Sequence, residues 1–368
     1  MKPNRLPQIL SLVLLSISAV ELQAEEDPFT ILAPSRDSKS LILVSATPGE
    51  AGLDLKLERK IDLGYTATTI VAHPEKPFFY ITSNQVSEGQ TAASFVDFGS
   101  SPEKVTPFEI ANGYAYLSLD RANRFLLGAN YRDGFVDVYE IDASGKPGAR
   151  VSMLNEGRKN AHCVLTSPDN RFVYIPYVKD TNALFQYAFD GETGALSPLE
   201  KLDAGPPEGT GPRHLAYHPS LPVLYFSNEQ HLGVSVYDQA DDGQLTIKQV
   251  ADLTGPAAPE EGVSSSDIAI TPDGKFLFAG IRGHKHEFDF ISRYRILENG
   301  KVEHLGLTPA DKIPWGLTLS PASTYLLASG FGAGTLMAFQ IGDDGELTRV
   351  GSLTWDPKIS DLVSAPGF

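Results

Sequence analysis

Apolar residues along this chain come in short runs, alternating or continuous, separated by polar turns at a nearly constant spacing. The clearest marker is a turn that reads His73-Pro74, Asp120-Arg121, Ser167-Pro168-Asp169, His218-Pro219, Thr271-Pro272-Asp273-Gly274 and Ser320-Pro321. Counted from the proline, or from Arg121 where proline is missing, it recurs in steps of 47, 47, 51, 53 and 49 residues. Proline fixes φ at the first turn position and Asp or Gly accepts the next, so each marker closes a hairpin. The segment behind each turn is aromatic and β-branched, as in Phe78-Phe79-Tyr80-Ile81 and Phe172-Val173-Tyr174-Ile175, which predicts strands. A third run follows in most units, such as Val234-Ser235-Val236-Tyr237. Acidic glycine turns such as Asp241-Asp242-Gly243 and Asp343-Asp344-Gly345 then lead into a fourth.

Four antiparallel strands in a repeating unit of this length describe a propeller blade, so the expected fold is all-β. Six markers give six blades. Leu41-Ile42-Leu43-Val44 and the C-terminal run from Glu346 to Val363 remain, and together they predict a seventh, closing the ring with N- and C-terminal strands and removing exposed sheet edges. A six-bladed ring with an N-terminal appendage is the rival. The irregular stretch Gly255 to Ser266 is expected to be a long inter-blade loop.

The first residues bear on location. Lys2 and Arg5 precede an uncharged apolar run from Ile9 to Val20, and Leu22-Gln23-Ala24 offers a small residue for cleavage. The run is shorter than the roughly 20 residues needed to span a bilayer. The expectation is a signal peptide at 1–24 and one propeller domain at 25–368, periplasmic or secreted, with a retained membrane anchor as the alternative. Loss of the first 24 residues takes the net charge from −16 to about −17, which makes nucleic acid and anionic membranes poor partners. Cys163 is the only cysteine, so no internal disulfide forms; strand alternation is expected to turn it away from the channel.

In a propeller the innermost strands line a central channel whose mouth commonly binds ligands. Six residues before each marker stand Thr68, Ala115, His162, Arg213, Ser266 and Trp315; ten residues after it stand Asn84, Tyr131, Val178, Glu229, Arg282 and Phe331. Positions equidistant from a turn face each other. Arg213 is therefore expected opposite Glu229, Ser266 opposite Arg282, and Trp315 against Phe331, where the two aromatic rings make a wall for a sugar ring or simply fill channel space. Two arginines, a carboxylate and a histidine converging in a strongly acidic protein point to an anionic or oxyanionic ligand. His284 and His286, with Glu287 and Asp289 nearby, raise a divalent-ion site on a loop as a lesser alternative; no other metal or cofactor signature is present.

Gly211-Pro212-Arg213-His214-Leu215-Ala216-Tyr217-His218-Pro219, Ser227-Asn228-Glu229, Phe125-Leu126-Leu127-Gly128-Ala129-Asn130-Tyr131, Ala161-His162 and Arg282-Gly283-His284 resemble the motifs of the seven-bladed lactonase family. That family includes bacterial 6-phosphogluconolactonases and fungal carboxymuconate-lactonising enzymes. The resemblance runs from about residue 40 to about residue 350, and implies active-site roles for His162, Arg213, Glu229 and Arg282. The chain departs from the family at Trp315, where relatives often carry an arginine, and after Arg282, where Gly283-His284-Lys285-His286-Glu287 replaces a shorter turn.

The resemblance implies hydrolysis of a sugar-derived lactone, 6-phosphogluconolactone or a non-phosphorylated aldonolactone, to its hydroxy acid. A carboxylate held against an arginine is a weak base, which favours His162 over Glu229 for activating water. Arg282, with Arg213, is expected to hold the oxyanion or a substrate anion, and Ser266, Trp315, Phe331, Tyr131 and His284 to line the substrate site. Two other readings stay open: a non-catalytic exported propeller that binds a ligand or protein, and a muconate-type lactonising enzyme.

Overall fold

The same backbone hydrogen bond recurs in all six marked hairpins. The residue before the marker donates its N–H to the carbonyl five residues on: His73 to Phe78, Asp120 to Phe125, Ser167 to Phe172, His218 to Val223, Thr271 to Phe276 and Ser320 to Tyr325, at 2.8–3.0 Å. The computed structural model describes residues 26–87, 91–255, 258–259 and 261–367; the signal peptide expected at 1–24 lies outside the described residues. Each hairpin forms the inner half of a four-stranded antiparallel sheet. Blade 4, for instance, runs outward from Pro212–Tyr217 through Val223–Asn228 and Val234–Gln239 to Leu245–Ala251. Among the described residues the only helical segment is the 3-10 turn Lys179–Thr181, and no helix is long and apolar enough to cross a membrane.

The described residues form seven sheets. The seventh takes its innermost strand, Val363–Pro366, from the C-terminus and its other three, Phe29–Ser35, Ser40–Gly49 and Gly52–Asp62, from the N-terminus. The closure is a short antiparallel register, Thr30 opposite Ala365 and Leu32 opposite Val363. Most of the C-terminal run assigned to this blade from sequence belongs elsewhere. Leu347–Thr354 is the outer strand of blade 6, held there by its pairing with Thr335–Ile341. The expected loop up to Ser266 is likewise shorter, because Ser264–Ile270 is already the inner strand of blade 5.

Among the described residues apolar clusters fill each interface between consecutive blades. The second strands supply fully buried aromatics such as Phe79, Tyr174, Phe226 and Phe278, each worth roughly 1.5–3 kcal/mol of burial. Polar rivets add register. The hydroxyl of Tyr80 donates to the carbonyl of Gly145, that of Tyr174 to Gly243 and that of Tyr225 to Gly300, at 2.7–2.9 Å, each reaching the outer turn of the next blade. Gly243 sits at φ +84° and a Cβ there would collide with the Phe172 ring. The acidic glycine turns thus let neighbouring blades close on each other.

Candidate active site

The inner strands of blades 4, 5 and 6 each carry a one-residue bulge, between Pro212 and Leu215, Ser265 and Ile268, and Pro314 and Leu317. A bulge breaks the inside–outside alternation and leaves a backbone N–H without its ladder partner. In blades 4 and 6 a serine of the second strand takes up that donor: Ser227 Oγ accepts from His214 N and Ser329 Oγ from Gly316 N. In blade 4 the result is that consecutive residues, Arg213 and His214, both line the channel mouth.

The bulges correct the register expected from counting. Glu229 N–H donates to the Gly211 carbonyl, not opposite Arg213, and Ser264 rather than Ser266 faces Arg282. Ser266 does not line the mouth; its hydroxyl donates to the Pro314 carbonyl at 2.6 Å. The reason lies in Gly280, which stands where blades 4 and 6 carry serine. A Cβ at 280 would collide with Ser266 Oγ, so the glycine leaves a niche into which that hydroxyl turns. Ser264 takes its place at the mouth and shares a hydrogen bond of 2.8 Å with His284 Nε2. Phe331 also lies behind the cavity wall, where its ring stacks on Trp315 at 4.6 Å between centroids.

The remaining expected positions do converge. A cavity of about 510 Å³ at the mouth is lined by His162, Arg213, Glu229, Arg282, Trp315, Tyr131 and His284, among others. Glu229 Oε2 is 3.2 Å from Arg213 Nε, 3.7 Å from Arg282 Nη2 and 3.8 Å from His162 Nε2. All four side chains are buried, Arg213 completely. One carboxylate therefore stands among two guanidiniums and an imidazole. Part of their hydrogen-bonding capacity is unspent: Nη1 and Nη2 of Arg213, Nε of Arg282 and Nδ1 of His162 are buried without a hydrogen-bond partner. Burial, then Arg213 and His214, holds the His162 imidazole well below its ordinary value, so it is neutral at neutral pH. Burial and then Arg213 bring Arg282 down to about 9, with Glu229 opposing.

Around this cluster the other blades supply walls. Tyr131 meets His162 edge-on at 5.3 Å, and Lys179 Nζ lies over the Tyr131 ring at 5.4 Å. The Arg282 guanidinium lies 4.5 Å from the Trp315 ring centroid. Beneath them His214 Nδ1 and Asp267 Oδ1 are 2.7 Å apart, and Asp267 Oδ2 accepts the Leu317 N–H. Counting from the markers missed His214, because a bulge is invisible to a fixed offset. It also missed Arg36, Ser360 and Asp361, which the closing blade contributes to the cavity without any marker turn. Asp361 accepts hydrogen bonds from Ile70 N and Leu362 N, and burial pushes its carboxyl up to about 8.

The loop histidines part company. His284 turns to Ser264, His286 Nε2 meets the Glu261 carbonyl, and Asp289 Oδ1 accepts the N–H groups of Gly283 and Ile313. Among the described residues no three His, Cys, Asp or Glu side chains form a group able to hold a metal ion. Cys163 is fully buried among the apolar side chains between blades 3 and 4.

A family model described as "Lactonase, 7-bladed beta-propeller" matches residues 35–358. The 6-phosphogluconolactonase of Cronobacter sakazakii is 30% identical over 307 residues, 81% of this chain and 87% of that protein. The 6-phosphogluconolactonase of one Klebsiella pneumoniae strain is 28% identical over 335 residues, 88% of this chain and 94% of its own length. Among solved structures, a periplasmic gluconolactonase of Pseudomonas aeruginosa superposes with a TM-score of 0.80 at 19% identity, covering 92% of this chain and 99% of that one. A Lactobacillus plantarum protein superposes with a TM-score of 0.78 at 16% identity, covering 92% and 99%. At such identities the likeness is one of fold.

Proposed function

The chain belongs to the seven-bladed β-propeller lactonase family, and from that premise we propose that it hydrolyses a sugar-derived lactone to the open hydroxy acid. The observation that carries the reading is the convergence of His162, Glu229, Arg213 and Arg282, with buried donors left free, in one cavity. A lactone carbonyl brought into that cavity meets what ester hydrolysis needs.

In the reaction we assign, water attacks the lactone carbonyl carbon while its proton passes to the neutral His162 imidazole. The carbonyl oxygen becomes an oxyanion, which Arg282 and Arg213 stabilise through charge-assisted hydrogen bonds. Collapse of the tetrahedral intermediate breaks the ring C–O bond, and the leaving alkoxide takes the proton back from the imidazolium. Glu229 holds both guanidiniums in place and stabilises the transient imidazolium at 3.8 Å. Trp315, packed on Phe331 and carrying the Arg282 guanidinium on its ring, walls the cavity beside the oxyanion site. A base of this kind supplies about 10²- to 10⁴-fold.

The test is hydrolysis of glucono-1,5-lactone and its 6-phosphate by purified protein, followed as acid release above the spontaneous rate. Activity that disappears in His162→Ala and Arg282→Ala supports the assignment. Turnover of neither lactone refutes it. We further propose that residues 1–24 are a signal peptide and 25–368 the exported domain, which N-terminal sequencing of protein from a periplasmic extract would test.

A further inference from the structure

The bulges of blades 4, 5 and 6 each hold or adjoin one link in a single series of contacts that crosses the cavity. In blade 6 the Leu317 N–H donates to Asp267 Oδ2 at 2.9 Å, and in blade 5 Asp267 Oδ1 lies 2.7 Å from His214 Nδ1 of blade 4. The His214 ring then meets His162 of blade 3 at 5.0 Å between centroids and an angle of 62°. His162 in turn meets Tyr131 of blade 2 at 5.3 Å and 77°. Five successive blades are thus coupled through one residue each.

His214 is the fixed member of this series. Burial raises the Asp267 carboxyl, but His214, the Leu317 N–H and Arg213 outweigh it and keep the group below its ordinary value. An ionised carboxylate only accepts, so the proton of the His214 ring sits on Nδ1. Burial and then Arg213 bring that imidazole down to about 4 against the pull of Asp267, which leaves it neutral. Asp267 Oδ1 also accepts the Ile268 N–H at 2.9 Å, and Tyr116 packs edge-on to the His214 ring at 4.9 Å. His162 has no such anchor. Its Nδ1 is buried without a hydrogen-bond partner, and its Nε2 stands 3.8 Å from Glu229 Oε2, beyond hydrogen-bonding distance. What sets the orientation of its ring is the packing of Tyr131 and His214 against it.

We infer that His214, locked by Asp267, is the positioning residue for the base: it holds the His162 imidazole where it meets the attacking water, and makes no bond to the substrate itself. This rests on the lactonase reading and adds to it the device that aims the base. A base must lie within reach of the proton it removes, and a small misplacement lowers the rate steeply. Aiming the ring by packing keeps both of its nitrogens free for proton transfer.

The experiment measures kcat and KM for glucono-1,5-lactone and its 6-phosphate in wild type, His214→Ala, His214→Phe and Asp267→Asn, with urea unfolding of each. His214→Ala is expected to lower kcat about 10- to 100-fold with KM nearly unchanged, and His214→Phe, which restores a ring beside His162, to recover part of the loss. Asp267→Asn should act in the same direction, because its amide must turn NH2 towards either the Leu317 N–H or the proton of His214 Nδ1. His214→Phe and Asp267→Asn nearly conserve volume and carry the test should His214→Ala not fold. Unchanged kcat in the folded variants overturns the proposal, and so does a loss carried by KM. His214→Phe as inactive as His162→Ala also overturns it, since His214 would then handle the proton itself. If wild type hydrolyses neither lactone, the lactonase reading fails by itself, and the positioning is judged by nitrogen NMR of histidine-labelled protein. His162 ring signals, assigned by their absence in His162→Ala, that shift in Asp267→Asn sustain it; unmoved signals remove it.

Discussion

Arg213 Nε and Glu229 Oε2 lie 3.2 Å apart at the channel mouth, joining the inner strand of blade 4 to the end of its second strand by a buried ion pair. The contact is structural and electrostatic at once, since the same carboxylate also faces Arg282. Removing its charge leaves two buried guanidiniums facing each other. Glu229→Gln is therefore expected to lower stability by about 3–5 kcal/mol, read as a fall in the denaturation midpoint in urea, together with loss of lactone hydrolysis.

His162→Ala should reduce kcat by about 10²- to 10⁴-fold with little change in the denaturation midpoint. Because burial and the flanking Arg213 keep this imidazole neutral well below its ordinary value, the acidic limb of the kcat/KM profile should lie below pH 6.5. A limb centred at or above 6.5 in a pH-stat assay would count against His162 as the base.

Asp361 gives stability a pH dependence of its own. Its carboxyl titrates at about 8 in the folded protein, above the ordinary carboxyl value, so between roughly pH 4 and 8 the folded state keeps a proton that the unfolded chain has released. Stability from this residue falls as pH rises across that window, by up to about 1.4 kcal/mol per pH unit, and is flat above it. The stability difference between Asp361→Asn and wild type should therefore shift in favour of the variant from pH 5 to pH 8. Urea unfolding at both values measures it, and a constant difference would contradict it.

Gly243→Ala is expected to cost about 3 kcal/mol, from backbone strain at φ +84° and from collision of the new methyl with the Phe172 ring. In the double variant with Phe172→Ala the collision disappears and the strain remains, so the two losses should be clearly less than additive in thermal unfolding.

Much of the architecture was legible because it repeats. A proline turn followed by an aromatic run marks the same hairpin six times, and the same backbone hydrogen bond appears in each. His162, Arg213, Glu229 and Arg282 were legible for the same reason, as equal offsets from those turns. What escaped depends on local departures from repetition. The bulge at Arg213 and His214 changes which residues face inward, and no periodic count contains it. Ser266 was misplaced because a single glycine across the hairpin, Gly280, opens a niche for its hydroxyl. Arg36 and Asp361 were missed because the closing blade joins the two ends of the chain and carries no proline turn.

That closing blade also sets the order in which the molecule becomes whole. Phe29–Ser35 is made long before Val363–Pro366 and has no inner partner until that strand follows. Arg36 and Asp361 enter the cavity from the two sides of this seam. Until that strand pairs, six blades can stack while the mouth lacks one wall, so the cavity acquires its full set of side chains only when the seam closes. Completion of the ring and completion of the pocket are one event, and a chain without Val363–Pro366 forfeits both.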